Sequence, residues 1–206
     1  MYLTKIIFNF NSKRVRHGIY NCEWIHRMIL EQGFGGITAS NARNTLKILY
    51  VINGRMMYVQ SAVKPNFQHN AEIFAEPPKT IDIDNVKSLV KTGSQIRFQC
   101  TCNPTKKTKD EGKRVFLTNE QERADWFSRT LRKVGAEVIV QNQSPEIKIF
   151  GLKTDKDSGK EHRIHAKAVT YTGALRVLDS EKLWDAFCNG IGREKAYGCG
   201  LLMLMK

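Results

Sequence analysis

This 206-residue sequence lacks the cysteine and histidine spacings that form metal sites or disulfide frameworks. Its cysteines are odd in number and include no CxxC pair, so we interpret them as reduced, small apolar side chains. They are Cys22, Cys100, Cys102, Cys188 and Cys199. Among the five scattered histidines only His162 and His165 are near neighbours, at a spacing too short for the usual zinc pattern. We therefore expect no metal and no other cofactor.

Long apolar segments and a secretory leader are also missing. No apolar run reaches the length that a helix needs to cross a bilayer, so we expect no contact with a membrane. Residues 1–10 have no basic lead and no long uninterrupted apolar stretch, which argues against a signal peptide. The expected location is the cytoplasm.

Acidic residues are scarce relative to basic ones. Lys and Arg number 33 against 20 for Asp and Glu, which gives a formal net charge of +13. This charge exceeds what solubility requires and favours a polyanion partner, with nucleic acid as the first interpretation. A merely basic protein stays open, because charge does not say which anion is bound. No helix-turn-helix or zinc-finger spacing supports a DNA-binding module.

The apolar fraction of 41% is sufficient for a core in one large domain or two small ones. Asn21 is the predicted cap of a helix that stops at Gly33, and Asn53-Gly54 predicts a tight hairpin turn. In the first half, strands are predicted over residues 2–10, 45–52, 55–62 and 80–84. Helices are predicted over residues 21–32 and 68–74, the second of them short, and a basic loop over residues 12–16. This β-α-β-β-α-β order is the ferredoxin-like arrangement.

The second half has the same mixed character. Thr118 is the predicted cap of a helix, with Gln121 closing a capping box and Gly135 ending the helix. A further helix is predicted over residues 180–188. Strands are predicted over residues 95–102, 136–140, 146–152, 163–172 and 200–205. The length fits two α+β halves joined near residues 86–93, although no clear sequence repeat proves a duplication.

A glycine-rich loop lies near the end of the chain, over residues 189–200, and runs into an apolar strand. Its glycines allow backbone N–H groups to approach a ligand closely, and its two cations supply charge for a phosphate. Read alone, such a loop is more typical of tight turns and backbone packing. The residues concerned are Gly190, Gly192, Arg193, Lys195, Gly198 and Gly200.

Several sequence blocks are informative when they are considered together. They are NPTKK at residues 103–107 followed by GKRV at 112–115, YTGALRV at 171–177, and GIGREKAYGCGLL at 190–202. Together and in this order they resemble the CasE family, the CRISPR RNA-processing endoribonucleases of the type I-E Cascade complex. The resemblance implies two tandem ferredoxin-like (RRM-like) domains, with the catalytic helix in residues 1–88 and the basic and glycine-rich loops in residues 89–206.

The resemblance also implies a substrate and a reaction. The substrate is a precursor CRISPR RNA, cut without metal at the base of its repeat hairpin by 2′-hydroxyl attack, which leaves a 2′,3′-cyclic phosphate. The product stays in Cascade with the other subunits, and the isolated protein is a monomer. RNA supplies its own nucleophile, so that proton transfer and charge stabilisation suffice. Asp82 and Asp84, the close aspartate pair on a predicted strand, offer few ligands for a two-metal nuclease.

His26 matches the catalytic histidine of the family, and its ordinary pKa range suits proton transfer near neutrality. The sequence does not decide between a general base and a general acid. The tyrosine that the family has three residues earlier is Glu23 here, and a lysine sometimes found five residues later is Glu31. These carboxylates repel a phosphate unless Glu23 pairs with Arg27, and Tyr20 is our candidate for the missing phenol. A non-catalytic subunit that binds repeat RNA therefore stays open as an alternative.

Basic side chains on the predicted helix and loops are the candidates for RNA contact. Runs of charge are usually solvated loops, but the overall basicity and the family pattern favour RNA here. The predicted contact residues are Arg27, Lys106, Lys107, Lys109, Lys113, Arg114, Lys160, Arg193 and Lys195.

Overall fold

Strands and helices alternate through the part of the chain that the computed structural model describes, which is residues 1–37, 42–108, 112–154 and 160–205. Two units form. The first holds Met1–Asp84, Lys148–Ala166 and Lys195–Gly198. The second holds Asn85–Ile147, Lys167–Glu194 and Cys199–Lys206.

The first unit is built on an antiparallel sheet of four strands in the order β2-β3-β1-β4. Its elements are β1 (Tyr2–Ile7), α1 (Lys13–Gly18), α2 (Cys22–Gly33), α3 (Ala42–Thr45), β2 (Leu49–Asn53), β3 (Met56–Ser61) and β4 (Lys79–Asp82). The predicted hairpin is confirmed, but Asn53 pairs with Met56, so the two turn residues are Gly54 and Arg55. Gly54 takes the first turn position at a φ of 59°, where glycine is favoured.

Helix α2 packs against this sheet through apolar residues at helical spacing. Ile25, Met28 and Ile29 are buried on one side of the helix, as the i, i+3, i+4 pattern requires. They join a core with Ile6 of β1 and Val59 of β3. The side chain of His26 lies beside this buried stripe, so the fold fixes the helix while leaving the imidazole on its flank.

Three predictions for the first unit are wrong. Residues 12–16 were predicted as a loop but lie largely in α1, and the second strand begins at Leu49, after the helical turn α3. Residues 68–74 form no helix, since only 71–73 make a turn and Phe74 forms a β-bridge with Phe8. The reason is local, because the Asn70 side chain accepts from the Glu72 N–H at 3.1 Å and competes with helix formation.

The second unit repeats the arrangement with longer strands. Its elements are β5 (Gln95–Cys102), β6 (Thr105–Lys107), β7 (Arg114–Phe116), α4 (Glu120–Lys133), β8 (Ala136–Gln143), β9 (Ile147–Thr154), β10 (Glu161–Val177), α5 (Ser180–Asn189) and β11 (Leu202–Met205). The main sheet has the order β11-β5-β10-β8, and β6 and β7 form a small separate hairpin. Strand β9 pairs with β10, and most of β9 and the first part of β10 belong to the first unit.

Aromatic rings fill the core of the second unit. Phe127 of α4 stacks on Tyr171 of β10, with centroids 4.0 Å apart, and on Phe98 of β5, with centroids 5.5 Å apart. All three side chains are fully buried. Burial raises the pKa of the Tyr171 hydroxyl, which donates a hydrogen bond to the Arg123 carbonyl at 3.2 Å.

The cap of α4 differs from its prediction. The N-cap is Asn119 instead of Thr118, and its side chain accepts from the Glu122 N–H at 3.0 Å. An asparagine one residue later offers an equally good acceptor, so the helix begins at Glu120. Strands β8 and β10 also extend beyond their predicted bounds.

The predicted α+β fold of two ferredoxin-like units is confirmed, since both sheets have the same strand order when each is numbered along the chain. We propose the domain boundary near residue 88, because the chain leaves the first sheet after β4 and enters the second at β5. No helix of the described ranges has the length and apolar character that a bilayer crossing requires.

Candidate active site

Helix α2 begins where the sequence predicts. The Asn21 side chain accepts from the Glu23 N–H at 3.1 Å and so satisfies one free donor of the first turn. Glycines end the helix, since Gly33 is its last residue and Gly35 and Gly36 have positive φ. His26 thus lies on a well-defined helix of twelve residues.

His26 is half-buried, and its pKa lies below the ordinary value of 6.5. Burial is the main cause, because it disfavours the charged imidazolium. The positive charges of Arg43 and Lys153 act in the same direction. Near neutral pH the imidazole is therefore neutral, the form that accepts a proton.

Arg43 and Lys153 come from elements far from α2 in the sequence. Arg43 lies on α3, is half-buried and has a pKa lowered by burial, and its guanidinium donates to the Asn44 side chain. Lys153 lies near the end of β9 and is exposed. Sequence reasoning did not find Arg43, and no sequence pattern connects it with His26. Lys153 stands out in the sequence only as a member of a lysine-rich segment.

Glu23 does not pair with Arg27, which was the condition for its carboxylate not to repel a phosphate. Arg27 pairs with Glu31, with Nη2 and Oε1 3.6 Å apart, so the next carboxylate along the helix takes the guanidinium. Burial raises the pKa of Glu23, while the charges of Lys153 and Arg27 oppose this shift. The raised pKa means that burial disfavours the charged carboxylate of Glu23.

A cavity of about 190 Å³ lies against the same helix. Glu23, Arg27 and Glu31 line it at successive helical turns, and Arg14 and Leu152 contribute from α1 and β9. The cavity therefore has a mixed-charge wall next to the flank that carries His26.

Tyr20 lies in the turn before Asn21, outside the helix, and its side chain is 76% exposed. An exposed phenol in this position is free to meet a ligand in solvent. Its role as a substitute for the family tyrosine stays a prediction.

The glycine-rich loop is fixed by its own backbone bonds. Gly190, Gly192, Gly198 and Gly200 all have positive φ, which only glycine adopts at little cost. The N–H of Gly200 donates to Thr101 at 2.7 Å, and the N–H of Gly190 donates to the end of α5. These two N–H groups donate to other backbone groups of the protein, as expected for a loop that serves as a tight turn.

The same loop brings one cation, Lys195, to the first unit. Residues Lys195–Tyr197 form a 3-10 turn that packs on α2 and β2. Gly198 follows, where an added Cβ would lie 3.1 Å from the Tyr50 ring. Lys195 is half-buried, whereas Arg193 is exposed. The loop thus places Lys195 next to the helix that carries His26.

The predicted basic stretch forms the hairpin of β6 and β7. Lys106, Lys107, Lys113 and Arg114 are all exposed there, and Lys106 pairs with Glu122 at 3.0 Å. Lys109 lies outside the described residues. Lys160 is exposed just before β10. The predicted RNA contacts are therefore divided between the two units.

The part of the chain that the structure describes holds no group of three or more His, Cys, Asp or Glu side chains able to bind a metal ion. The five cysteines are buried and form no disulfide within the described residues. Cys100 and Cys102 point to the same side of β5, with their sulfurs 3.4 Å apart.

Known proteins share both sequence and fold with this chain. The CRISPR-associated endoribonuclease Cse3 of Thermus thermophilus is 26% identical over 212 residues, which cover 98% of each chain. The CRISPR system Cascade subunit CasE of Escherichia coli is 30% identical over 135 residues, 60% of this chain and 64% of that protein. A structure of Cse3 bound to a 19-nucleotide RNA superposes with a TM-score of 0.80 at 24% identity, over 100% of both chains.

The sequence model of one family matches the chain from residue 1 to residue 206, and the description of that family is "CRISPR associated protein". The NPTK, GKR and glycine-loop blocks resemble the CasE family, and these matches confirm that resemblance. This chain therefore belongs to the family of CRISPR associated proteins, as a member of the CasE group.

Proposed function

We propose that this chain is an endoribonuclease that cuts the repeat hairpin of precursor CRISPR RNA, with His26 as general base. The predicted class of enzyme is confirmed by the relative of similar length that is named as a CRISPR-associated endoribonuclease. The observation that carries the role of His26 is its setting, a half-buried imidazole with a lowered pKa beside two cations.

The neutral imidazole takes the proton of the 2′-hydroxyl next to the scissile phosphate. The 2′-oxygen then forms a bond to phosphorus while the bond from phosphorus to the 5′-oxygen breaks. This leaves a 2′,3′-cyclic phosphate on one fragment. The departing 5′-oxygen takes a proton from the imidazolium or from water, so every proton is accounted for within RNA, His26 and solvent.

Arg43 and Lys153 supply the charge that this reaction needs. Negative charge grows on the phosphoryl oxygens as the 2′-oxygen attacks, and fixed cations stabilise it most where water is limited. Arg43 is half-buried and already partly desolvated, so it is the stronger of the two. The reaction then requires proton transfer and electrostatic stabilisation, which this set of side chains provides without a metal.

RNA binding involves basic side chains of both units. We propose that Arg27, Lys160, Arg193 and Lys195 contact the RNA backbone, together with the exposed cations of the β6-β7 hairpin. RNA stems are held mainly by phosphate and 2′-hydroxyl contacts, for which scattered basic side chains are suited. We propose that the bound product stays with other Cascade subunits, since the CasE relative is named as a subunit of Cascade. Five cysteines that form no disulfide agree with the proposed cytoplasmic location.

A cleavage assay tests this proposal. The purified protein is incubated with the repeat RNA of its own CRISPR array in EDTA, and the ends of the product are analysed. We expect one cut at the base of the stem and a 2′,3′-cyclic phosphate end. His26→Ala should slow cleavage by about 10²- to 10⁴-fold, the usual contribution of a general base, with little change in RNA binding.

The runner-up function is a subunit that binds repeat RNA without cutting it. Glu23 favours this alternative, because a carboxyl lies one helical turn before His26 where the family has a tyrosine. The same assay separates the two functions. Retarded but intact RNA supports the binder, and unchanged cleavage by His26→Ala removes His26 from the reaction.

A further inference from the structure

Asn21 makes one more hydrogen bond than a helix cap needs. Its Oδ1 accepts from the Glu23 N–H at 3.1 Å, which is the cap, and also from the Leu152 N–H of β9 at 3.2 Å. The corresponding cap of α4, Asn119, accepts from Glu122 of its own helix. One side-chain oxygen thus joins the start of α2 to a strand from a distant part of the sequence.

Gly151 shows how closely β9 approaches the helix. A Cβ built on Gly151 would lie 2.6 Å from the Cys22 sulfur and 3.3 Å from Asn21 Oδ1. A glycine inside a strand often marks a close approach of another backbone, and here the start of α2 is that neighbour. The contact leaves no room for a side chain at position 151.

Lys153 follows two residues after Gly151, on the same side of the strand by the alternation of side chains. Its charge is felt by two groups of α2, Glu23 and His26. The strand that Asn21 holds is therefore the strand that carries one of the two cations beside the imidazole.

We propose that Asn21 is a positioning residue, which holds β9 against the first turn of α2 so that Lys153 stays beside His26. The inference rests on the proposed function and adds the means by which one of its cations is placed. The bond acts through the backbone of Leu152, so it fixes the strand and leaves the Lys153 side chain able to follow a phosphate.

The variant Asn21→Ser separates the two bonds of Asn21. Serine is a good cap and keeps the hydrogen bond within the helix, but its shorter side chain does not reach Leu152 as well. The readouts are the rate of cleavage and the pKa of His26, followed by NMR titration of its imidazole, which His26→Gln assigns. Other charged or titratable groups on α2 and on the elements around it are present in both proteins; they are Arg14, Glu23, Arg27, Glu31, Arg43, Lys195 and Tyr197.

We expect Asn21→Ser to slow cleavage by about tenfold, a fraction of the effect of one lost electrostatic donor. The pKa of His26 should rise towards its ordinary value, because a positive neighbour moves away. The matched control is Asn119→Ser, which makes the same change at the cap of α4 and should alter neither quantity. An unchanged pKa of His26 in folded Asn21→Ser would overturn the proposal.

A double-mutant cycle tests whether the effect passes through Lys153. If it does, Asn21→Ser adds little to Lys153→Gln, and the two effects on rate are far from multiplicative. Fully multiplicative effects would show that Asn21 acts in another way. The NMR titration does not depend on cleavage, so it still tests Asn21 if His26→Gln cuts RNA normally and the proposed function is wrong.

Discussion

The two units of this chain share a strand order but use their helices differently. Numbered along each unit, both sheets run second, third, first, fourth, and in both a helix follows the first main strand. In the second unit α4 and α5 both bury apolar residues against the sheet. In the first unit α2 buries its apolar residues together with Val15 of the short helix α1, and no helix forms over residues 68–74. The same topology is therefore completed by two long helices in one unit and by one long and one short helix in the other.

Distant segments complete the first unit. The helical turn α3, strand β9 and the 3-10 turn Lys195–Tyr197 all belong to it, and β9 and the turn come from beyond its main sequence. All five histidines of the chain lie in this unit as well. The candidate catalytic side chains therefore lie in the unit that distant segments complete, whereas the unit with two long helices has the larger buried core.

The largest effect on stability should come from the aromatic stack of the second unit. Phe127→Ala removes a fully buried ring that contacts Phe98 and Tyr171, and leaves a cavity. We expect the free energy of unfolding to fall by about 3–5 kcal/mol, measured by urea denaturation. The control is Phe150→Ala in the first unit, where a 39% exposed ring should cost less than about 1 kcal/mol. Equal losses at both sites would contradict the division into a packing unit and a catalytic unit.

The next effect concerns the cations of the first unit. Arg43→Gln should slow cleavage by about 10- to 100-fold and Lys153→Gln by about tenfold, since a buried charge is screened less than an exposed one. Single-turnover rates at saturating protein measure this effect apart from binding. The control Lys64→Gln removes an exposed lysine of the same unit and should leave the rate unchanged. A larger loss for Lys64 than for Arg43 would mean that general charge, and not its placement, drives cleavage.

Much of the fold follows from local sequence signals. The extent of α2 is predictable because Asn21 caps it, Ile25, Met28 and Ile29 repeat at helical spacing, and glycines end it. The hairpin at Gly54 is predictable for the same reason, since turn chemistry acts over a few residues. The helix predicted over residues 68–74 does not form, because the Asn70 side chain accepts a hydrogen bond from the backbone N–H of Glu72. Helix propensity alone does not take this bond into account.

The candidate site was only half predictable. His26 is found from its helix and from the family pattern, but its two cations are brought to it by tertiary structure. Arg43 lies before β2 and Lys153 lies near the end of β9, and no spacing in the sequence relates either to α2. The pairing of Glu23 with Arg27, considered as a way to offset the charge of Glu23, does not occur because Glu31 lies at the same spacing on the other side of the arginine and forms the pair.

The pH dependence of cleavage tests the catalytic role of the first unit, because all histidines of the sequence lie in that unit. His26 has a lowered pKa and acts as a base in its neutral form, so kcat/KM should decline as pH falls, with a midpoint below the ordinary value of 6.5. Arg43→Gln should move this decline to higher pH, since removing a positive neighbour raises the pKa of His26. A rate that rises as pH falls through this range would assign His26 the role of acid.

The smallest effect should come from the basic hairpin of the second unit, where two neighbouring lysines differ in their partners. Lys106 already pairs with Glu122 at 3.0 Å, whereas Lys107 is exposed on the same strand. If Lys107 contacts one phosphate, Lys107→Gln should lower the slope of log affinity against log salt by about one. Lys106→Gln should change the slope less, because its charge is partly neutralised before RNA binds. Filter binding of the repeat hairpin over a salt series measures both slopes, and the reverse ranking would show that Lys106 releases Glu122 to reach the RNA.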